Sequence, residues 1–414
     1  MSKILLAVNA GSSSVKVSIF KAAHNKRPDL IGEAQVSGLT APPALLSFSY
    51  GKDKIIDKQE AKDKISSQDD AFSLLLKTLV ESDAMSEIAK ETDIAIVTHR
   101  IVHGGDYAAP EVISRETFHR LEELTDLAPL HNGAALTIVR SCAKRLPHAS
   151  LVACFDSQFH ATLPLHVRTY PINQAIATKN KLRKYGFHGL SYSFIVRSVA
   201  AFFGKPVDSV NLIALHLGSG ASACAIKGGA SVDTSMGLTP LAGLPGATRS
   251  GSVDPSLVFH YASNVGRLAP GATRELHISR AEQILNKQAG WQALAGTTDF
   301  RQIAEGATEE ARLAFALVVN RVAGYVGQYY VALGGKVDAL VFAGGIGEKS
   351  ARLRAAVGRE VECLGFKVDV AKNNAVGELE GGQVTSVGKK VVVCATDEQE
   401  EMATLCTRME ALWE

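Results

Sequence analysis

Two short segments rich in glycine and serine could cradle an anion. They are Asn9-Ala10-Gly11-Ser12-Ser13-Ser14, with Lys16 two residues on, and Gly218-Ser219-Gly220-Ala221-Ser222. Small residues let backbone amides approach a phosphate closely, and a lysine adds a point charge. Either loop by itself also reads as a plain hairpin turn. A third segment, Ala343-Gly344-Gly345-Ile346-Gly347-Glu348, follows an apolar strand. Its spacing fails the dinucleotide fingerprint at Ser350, and none of the three loops matches G-x-x-x-x-G-K-[ST].

Charged side chains cluster where apolar runs end. Arg100 follows residues 94–98; its planar fork suits a phosphate or a carboxylate, and equally a surface ion pair. Asp156 follows residues 151–155, where a carboxylate can act as base, orient a partner or cap the next segment. His131 is a polar spot closing an apolar stretch, with a structural role as the plainer reading. His188 lies between Gly186 and Gly189, so its backbone can approach a ligand. Arg249 lies in an irregular loop, residues 237–254, of about 18 residues; such length points to function, and its apolar content argues against disorder.

The elements that must hold these groups alternate. Residues 4–8, a Gly/Ser turn and residues 15–20 read as strand, turn, strand; residues 212–217 and 223–226 repeat the pattern around the second loop. Gly11 and Gly218 are 207 residues apart, half of 414, which suggests a duplicated domain. Residues 190–203 read as a helix stopped by Gly204, and 309–333 as a long helix stopped by Gly334-Gly335. Residues 337–342 read as a strand followed by a helix from about Lys349. Residues 391–395 read as a strand, with Thr396 and Gln399 forming a capping box for the last helix. Strands alternating with helices mean an α/β protein, whose ligands bind at the carboxyl ends of the strands.

Composition narrows the classes. At about 150 residues per domain, 414 residues suggest two or three domains. Lys plus Arg is 44 and Asp plus Glu is 42, a balance with no general attraction for nucleic acid or anionic membrane. No apolar run approaches the roughly 20 residues of a membrane span, and the apolar start is too short for a signal segment. Six cysteines lie far apart with no Cys-x-x-Cys, which disfavours a disulfide or zinc framework and makes a reducing cytoplasm the default.

Read together, the blocks VNAGSSSVKVSIF, THRIVHGG, APLHN, CFDSQFH, RKYGFHGLSY, LHLGSGAS, DTSMGLTPLAGLPGATRSGSVDP, TTDFR, GGIGE and ATDEQEE resemble the acetate kinase family, in order and over nearly the whole chain. The resemblance implies an α/β protein with two ribonuclease-H-like (actin-like ATPase) domains of duplicated topology around a central cleft. One domain would span residues 1–160 and be completed by 396–414; the nucleotide-binding domain would span 161–395. It implies reversible, direct in-line phosphoryl transfer from ATP to acetate, with magnesium, or manganese in its place, in a cytoplasmic homodimer that engages neither nucleic acid nor membrane.

The site roles implied by the resemblance are these. Arg100 and Arg249 would grip the acetate carboxylate and the phosphoryl group in flight, His131 and His188 would lie beside that group, and Asp156 would be the essential carboxylate. Val102, Leu130, Phe187 and Pro240 would take the acetate methyl, with Arg100. Ser12, Ser14 and Lys16, then His216, Gly218, Ser219 and Gly220, Asp299, Phe300 and Arg301, and Gly344, Gly345, Ile346 and Gly347 would handle the nucleotide. Asn9 and Glu398 would serve the metal. Ser219 and Lys349 stand where the family usually carries Asn, and both changes fall on the donor side.

The chemistry suits these residue types. Two anions must be neutralised and held in line, which planar guanidinium donors and a cation achieve. Acetate is already ionised at pH 7, so no base need remove its proton, and Asp156 reads as an orienter. A propionate kinase and a pyrophosphate-using acetate kinase are the near alternatives. An actin-like ATPase would need neither paired arginines nor a carboxylate pocket.

Overall fold

The computed structural model describes residues 2–11, 13–62, 64–125, 129–261, 268–269, 272 and 278–414, the side chains of 129–131 aside. The chain forms two compact units, Met1–Gln158 with Glu398–Glu414, and Phe159–Asp397.

The first unit is built on strands β1 (Lys3–Ala10), β2 (Ser14–Ala22), β3 (Asp29–Ser37), β4 (Leu45–Tyr50), β5 (Asp53–Glu60), β6 (Ile94–Ile101), β7 (Glu111–Val112) and β8 (Ser150–Phe155), in the order β5-β4-β3-β2-β1-β6-β8-β7. β1 to β3 pair antiparallel, whereas β1, β6 and β8 run parallel. The central strands are apolar on both faces because both faces are covered. On one face Phe72, Leu75 and Leu76 of helix Gln68–Val80 meet Val8, Val15 and Val17. Ser67 starts that helix by accepting from the Asp70 N–H. On the other face helix Glu398–Thr407 packs on β1 and β6, burying Met402, Ala403 and Cys406.

The second unit has β9 (Leu212–Leu217), β10 (Ala221–Lys227), β11 (Ala230–Thr234), β12 (Ala339–Ala343), β13 (Lys367–Val368), β14 (Val384–Lys389) and β15 (Val391–Cys394), ordered β11-β10-β9-β12-β15-β14-β13. Again three antiparallel strands meet two parallel ones. The blocks β3-β2-β1-β6-β8 and β11-β10-β9-β12-β15 therefore share strand order and direction, and the duplication suggested by the paired Gly/Ser hairpins is present. Helix Gly189–Phe202 lays Tyr192, Ile195 and Val199 on one face of this sheet. Helix Glu309–Ala332 lays Val318, Val322 and Val326 on the other.

Three local expectations need correction. Arg100 does not follow its strand but belongs to it: pairing with β8 (Arg100 opposite Cys154, Ile101 opposite Phe155) carries β6 through to Ile101. The glycines after β12 are themselves helical, Gly344–Lys349; the helix breaks at Ser350, whose side chain accepts from Leu353 N–H and starts Ala351–Glu360. Glycine's poor helix propensity hides such a helix from sequence reading. The last helix begins at Glu398, two residues past the predicted cap. Thr396 Oγ1 instead bonds Ser191 Oγ (2.8 Å), and Gln399 Nε2 donates to the Ala7 carbonyl (2.8 Å).

Candidate active site

In the first unit, register assigns the faces. Side chains alternate along a strand and partners share a face. Ala7 is opposite Thr98, Asn9 opposite Lys16, and Arg100 opposite Cys154, so Asn9, Lys16, Arg100 and Asp156 all fall on the face that the Glu398–Thr407 helix covers. There Arg100 Nε donates to both Asp156 oxygens (3.1 and 3.2 Å) and Nη2 to Oδ2 (2.8 Å). The Asp156 side chain is 1% exposed and that of Arg100 18%. Burial by itself would lower the Arg100 pKa; the Asp156 and Glu398 carboxylates outweigh it and raise it, so the guanidinium stays charged.

The segment after β6 is pinned rather than loose. Asn132 Oδ1 accepts from His103 N–H (2.9 Å) and its Nδ2 donates to the His103 carbonyl (3.0 Å). Gly104 N–H donates to Ser157 Oγ (3.0 Å), and a Cβ at Gly104 would lie 2.4 Å from the Phe155 ring. This fixes the strand end beside Arg100 and Val102, which is half-buried. Ser14 opens β2, with its carbonyl accepting from Gly11 N–H (2.9 Å). Lys16 Nζ lies 2.6 Å from Glu33 Oε1, so its charge is shared with a carboxylate rather than directed at the turn alone. Ser12 and the side chains of Leu130 and His131 lie outside the described residues.

In the second unit the residues converge more tightly. His188 takes a left-handed conformation (φ 60°) at the start of helix Gly189–Phe202. Its ring stacks on His216 at 4.1 Å. His188 Nδ1 bonds Ser222 Oγ (2.8 Å), and His216 Nδ1 bonds Ser191 Oγ (2.7 Å). A Cβ at Gly220 would stand 2.8 Å from Arg249 Nη1 and 3.8 Å from His188 Nε2, which places guanidinium, imidazole and glycine loop together. The loop carrying Arg249 is held by Gly246 N–H to the Arg249 carbonyl (3.0 Å) and Ala247 N–H to the Ser219 carbonyl (2.8 Å). Phe187 is 1% exposed, with its carbonyl bonded to His160 Nε2 (3.0 Å), and Pro240 is buried.

Next to this cluster a cavity of about 840 Å³ is lined by Gly218, Ser219, Asp299, Arg301, Gly345 and Ile346, among others. Segments more than 120 residues apart in sequence thus surround one space. Gly344, at φ 75°, sits against the Leu217 carbonyl, where a Cβ would come within 2.8 Å, and Gly347 packs below it on Phe342. Asp299 also has a local task, accepting from Arg301 N–H (2.9 Å) to start helix Phe300–Glu305. Phe300 is mainly a core residue: it is 6% exposed and packs on Trp291 at 5.3 Å.

Sequence reading missed several residues here. Ser191, Tyr192 and Ser222 brace the two imidazoles, although all three lie inside blocks that were recognised. Arg352 and Asn374 also line the cavity, as does Lys349, which the sequence already marks as a donor-side departure from the family pattern. Buried Arg354 donates to the Gly347 and Glu348 carbonyls (2.9 and 2.6 Å) and to Asn373, tying down the end of the Gly344–Lys349 helix. Burial lowers its pKa to about 10, still charged near neutrality.

The repeated sheet, with polar groups at the parallel strand ends and a cavity by the second hairpin, defines a two-domain α/β protein of the actin-like ATPase fold. The family model described as the acetokinase family matches residues 4–404, and the chain belongs to that family. A relative from Chaetomium globosum, named a probable acetate kinase, is 56% identical, with 100% of this chain and 99% of the relative covered. Among solved structures, the acetate kinase of Porphyromonas gingivalis is 31% identical with a TM-score of 0.80, over 97% of this chain and 98% of that one. A propionate kinase from Francisella tularensis is 31% identical with a TM-score of 0.82, over the same shares. Among the described residues, no helix is long and apolar enough to cross a membrane.

Proposed function

We propose that this chain is an acetate kinase, transferring a phosphoryl group reversibly and in line from ATP to acetate to give acetyl phosphate and ADP. The observation that carries the reading is the meeting of Arg249 and His188 at Gly220, in the loop whose Gly218 and Ser219 open onto the 840 Å³ cavity. A cation and an imidazole there face the place where a phosphoryl group bound through that loop develops charge.

Each residue then takes a role. The cavity segments Gly218–Gly220, Asp299–Arg301 and Gly344–Gly347, with His216, bind the nucleotide; Ser12, Ser14 and Lys16 attend its phosphates. Arg249 stabilises the phosphoryl group in transit, with His188 and His131 beside it. Arg100 binds the acetate carboxylate, while Val102, Leu130, Phe187 and Pro240 contact the methyl. Asp156 orients Arg100: its oxygens already accept the guanidinium's Nε and Nη2, and ionised acetate requires no base.

Magnesium suits this chain. It keeps waters and substrate phosphates as ligands and needs few protein oxygens. Among the described residues no three His, Cys, Asp or Glu gather as a self-sufficient metal site, whereas the oxygens of Asn9 and Glu398 belong to the Arg100 face. Those two would hold the ion, which when bound would offset phosphate charge; manganese would use the same donors. The enzyme works as a cytoplasmic homodimer.

Trapping acetyl phosphate as its hydroxamate tests the reading, with ATP against pyrophosphate and acetate against propionate. ATP and acetate should be the best pair, with propionate poorer by roughly 10- to 200-fold for one extra methylene. A higher kcat/KM for propionate would replace the acceptor, and ATP hydrolysis indifferent to acetate would overturn the proposal. That the relatives at 55–56% identity are named probable acetate kinases supports acetate over propionate as the acceptor.

A further inference from the structure

We infer that Ser222 and Tyr192 are positioning residues that hold His188 in one neutral tautomer, with the proton on Nε2. The inference rests on the reading of His188 as a phosphoryl-side residue, but its geometry stands apart from that reading.

The argument is an inventory of hydrogens. Ser222 Oγ bonds both His188 Nδ1 (2.8 Å) and the Tyr192 hydroxyl, and a serine has a single hydrogen to give. Tyr192 is fully buried, and its oxygen also receives the His216 backbone N–H. Burial holds the Tyr192 pKa well above its ordinary value, so the phenol keeps its hydrogen. That hydrogen has an acceptor in Ser222 Oγ. Reversing the chain, so that Ser222 donates to Tyr192, would strand a phenolic hydrogen in a buried site, a costly arrangement. Tyr192 therefore donates to Ser222 and Ser222 to His188 Nδ1. Nδ1 is thereby an acceptor, and the ring's remaining hydrogen lies on Nε2, the atom on the Gly220 and Arg249 side. A neutral Nε2–H there can donate to a phosphoryl oxygen without adding charge.

A second chain braces the stacked neighbour. Thr396 Oγ1 bonds Ser191 Oγ (2.8 Å), which bonds His216 Nδ1 (2.7 Å); Thr396 N–H donates to Glu348 Oε1 (3.3 Å). The two imidazoles, 4.1 Å apart, are thus gripped at Nδ1 by different hydroxyls, so loss of Ser222 should release His188 and leave His216 in place.

The test is nitrogen NMR of the imidazoles in full-length protein, with steady-state kinetics on the same samples. In the parent, His188 should be neutral with hydrogen on Nε2. Ser222→Ala should mix its tautomers and lower kcat roughly 10- to 100-fold, with smaller changes in the KM values for ATP and acetate and an unchanged His216 signal. Tyr192→Phe keeps the ring packing but removes both the hydrogen donated to Ser222 and the oxygen that accepts the His216 N–H, so it should give a partial version of the His188 tautomer and kcat effects; it serves as the readout if Ser222→Ala folds poorly. A parent His188 with its hydrogen on Nδ1 would overturn the inference, as would unchanged His188 signals and kcat in both folded variants. A parent inactive with acetate would defeat the functional reading and leave the tautomer result to stand or fall alone.

Discussion

Adding one methyl group at Gly220 should separate catalysis from stability. Its backbone lies outside the left-handed region, so alanine fits the chain path there. The new Cβ would stand 2.8 Å from Arg249 Nη1, against the 3.4 Å at which ordinary contact begins, so the guanidinium must retreat by about 0.6 Å. The obstructed atom is the tip of a flexible side chain, so the fold yields cheaply. The lost freedom of the unfolded chain returns about 0.4–1 kcal/mol. A misplacement of 1 Å at a reacting centre costs roughly 100-fold; scaled to this shift, kcat should fall roughly 10-fold. Hydroxamate kinetics would give kcat and both KM values, and thermal unfolding should place Tm within about 3 °C of the parent. Turnover within about two-fold of the parent, in a variant of unchanged Tm, would show that the seat of Arg249 against Gly220 is not used in the reaction.

Three further outcomes follow from the same geometry. Arg249→Lys retains the charge but loses the fork, and kcat should drop by ~10³–10⁵, or roughly 4–7 kcal/mol of barrier; near-normal turnover removes Arg249 from the mechanism. Asp156→Asn replaces one acceptor oxygen with an amide that opposes an Arg100 N–H. It should destabilise the first unit by about 2–4 kcal/mol in urea unfolding and cripple turnover, whereas a fully active variant discards the orienting role. His99 is buried with no partner at Nε2, and burial lowers its pKa from 6.5 to about 3. The unfolded chain takes up this proton below 6.5 and the folded chain does not. The stabilisation is therefore present above pH 6.5 and is lost progressively as pH falls towards 3, about 2 kcal/mol of it between pH 7 and 5. Urea midpoints should fall less over that interval in His99→Leu than in the parent, and equal slopes would contradict the assignment.

Much of the fold was legible because it is written in local pattern. Each Gly/Ser turn lies between apolar runs, and a hairpin needs little more than that. Long helices ended where glycines followed, at Gly204 and Gly334-Gly335, within a residue or two of the observed ends. The misreadings have local causes too. The helix at Gly344 carries three glycines of low propensity and is held from outside by Arg354 at its end, while Gly344 lies so close to the Leu217 carbonyl that a Cβ would not fit. The end of β6 is decided by its pairing with β8, which no window around Arg100 contains.

The sequence by itself determined which residue types stand at strand ends and turns, which runs are apolar enough to be buried strands, and that one half of the chain echoes the other. Those properties depend on neighbours a few positions away. Only the tertiary structure decided that β6 and β8 align in the register that locks Arg100 onto Asp156, that loops from 218 to 346 enclose one cavity, and that Ser191, Tyr192 and Ser222 grip two stacked imidazoles. Register and convergence are set by packing between distant segments, where a slip of one residue turns every side chain to the opposite face. No local preference along the chain carries that information.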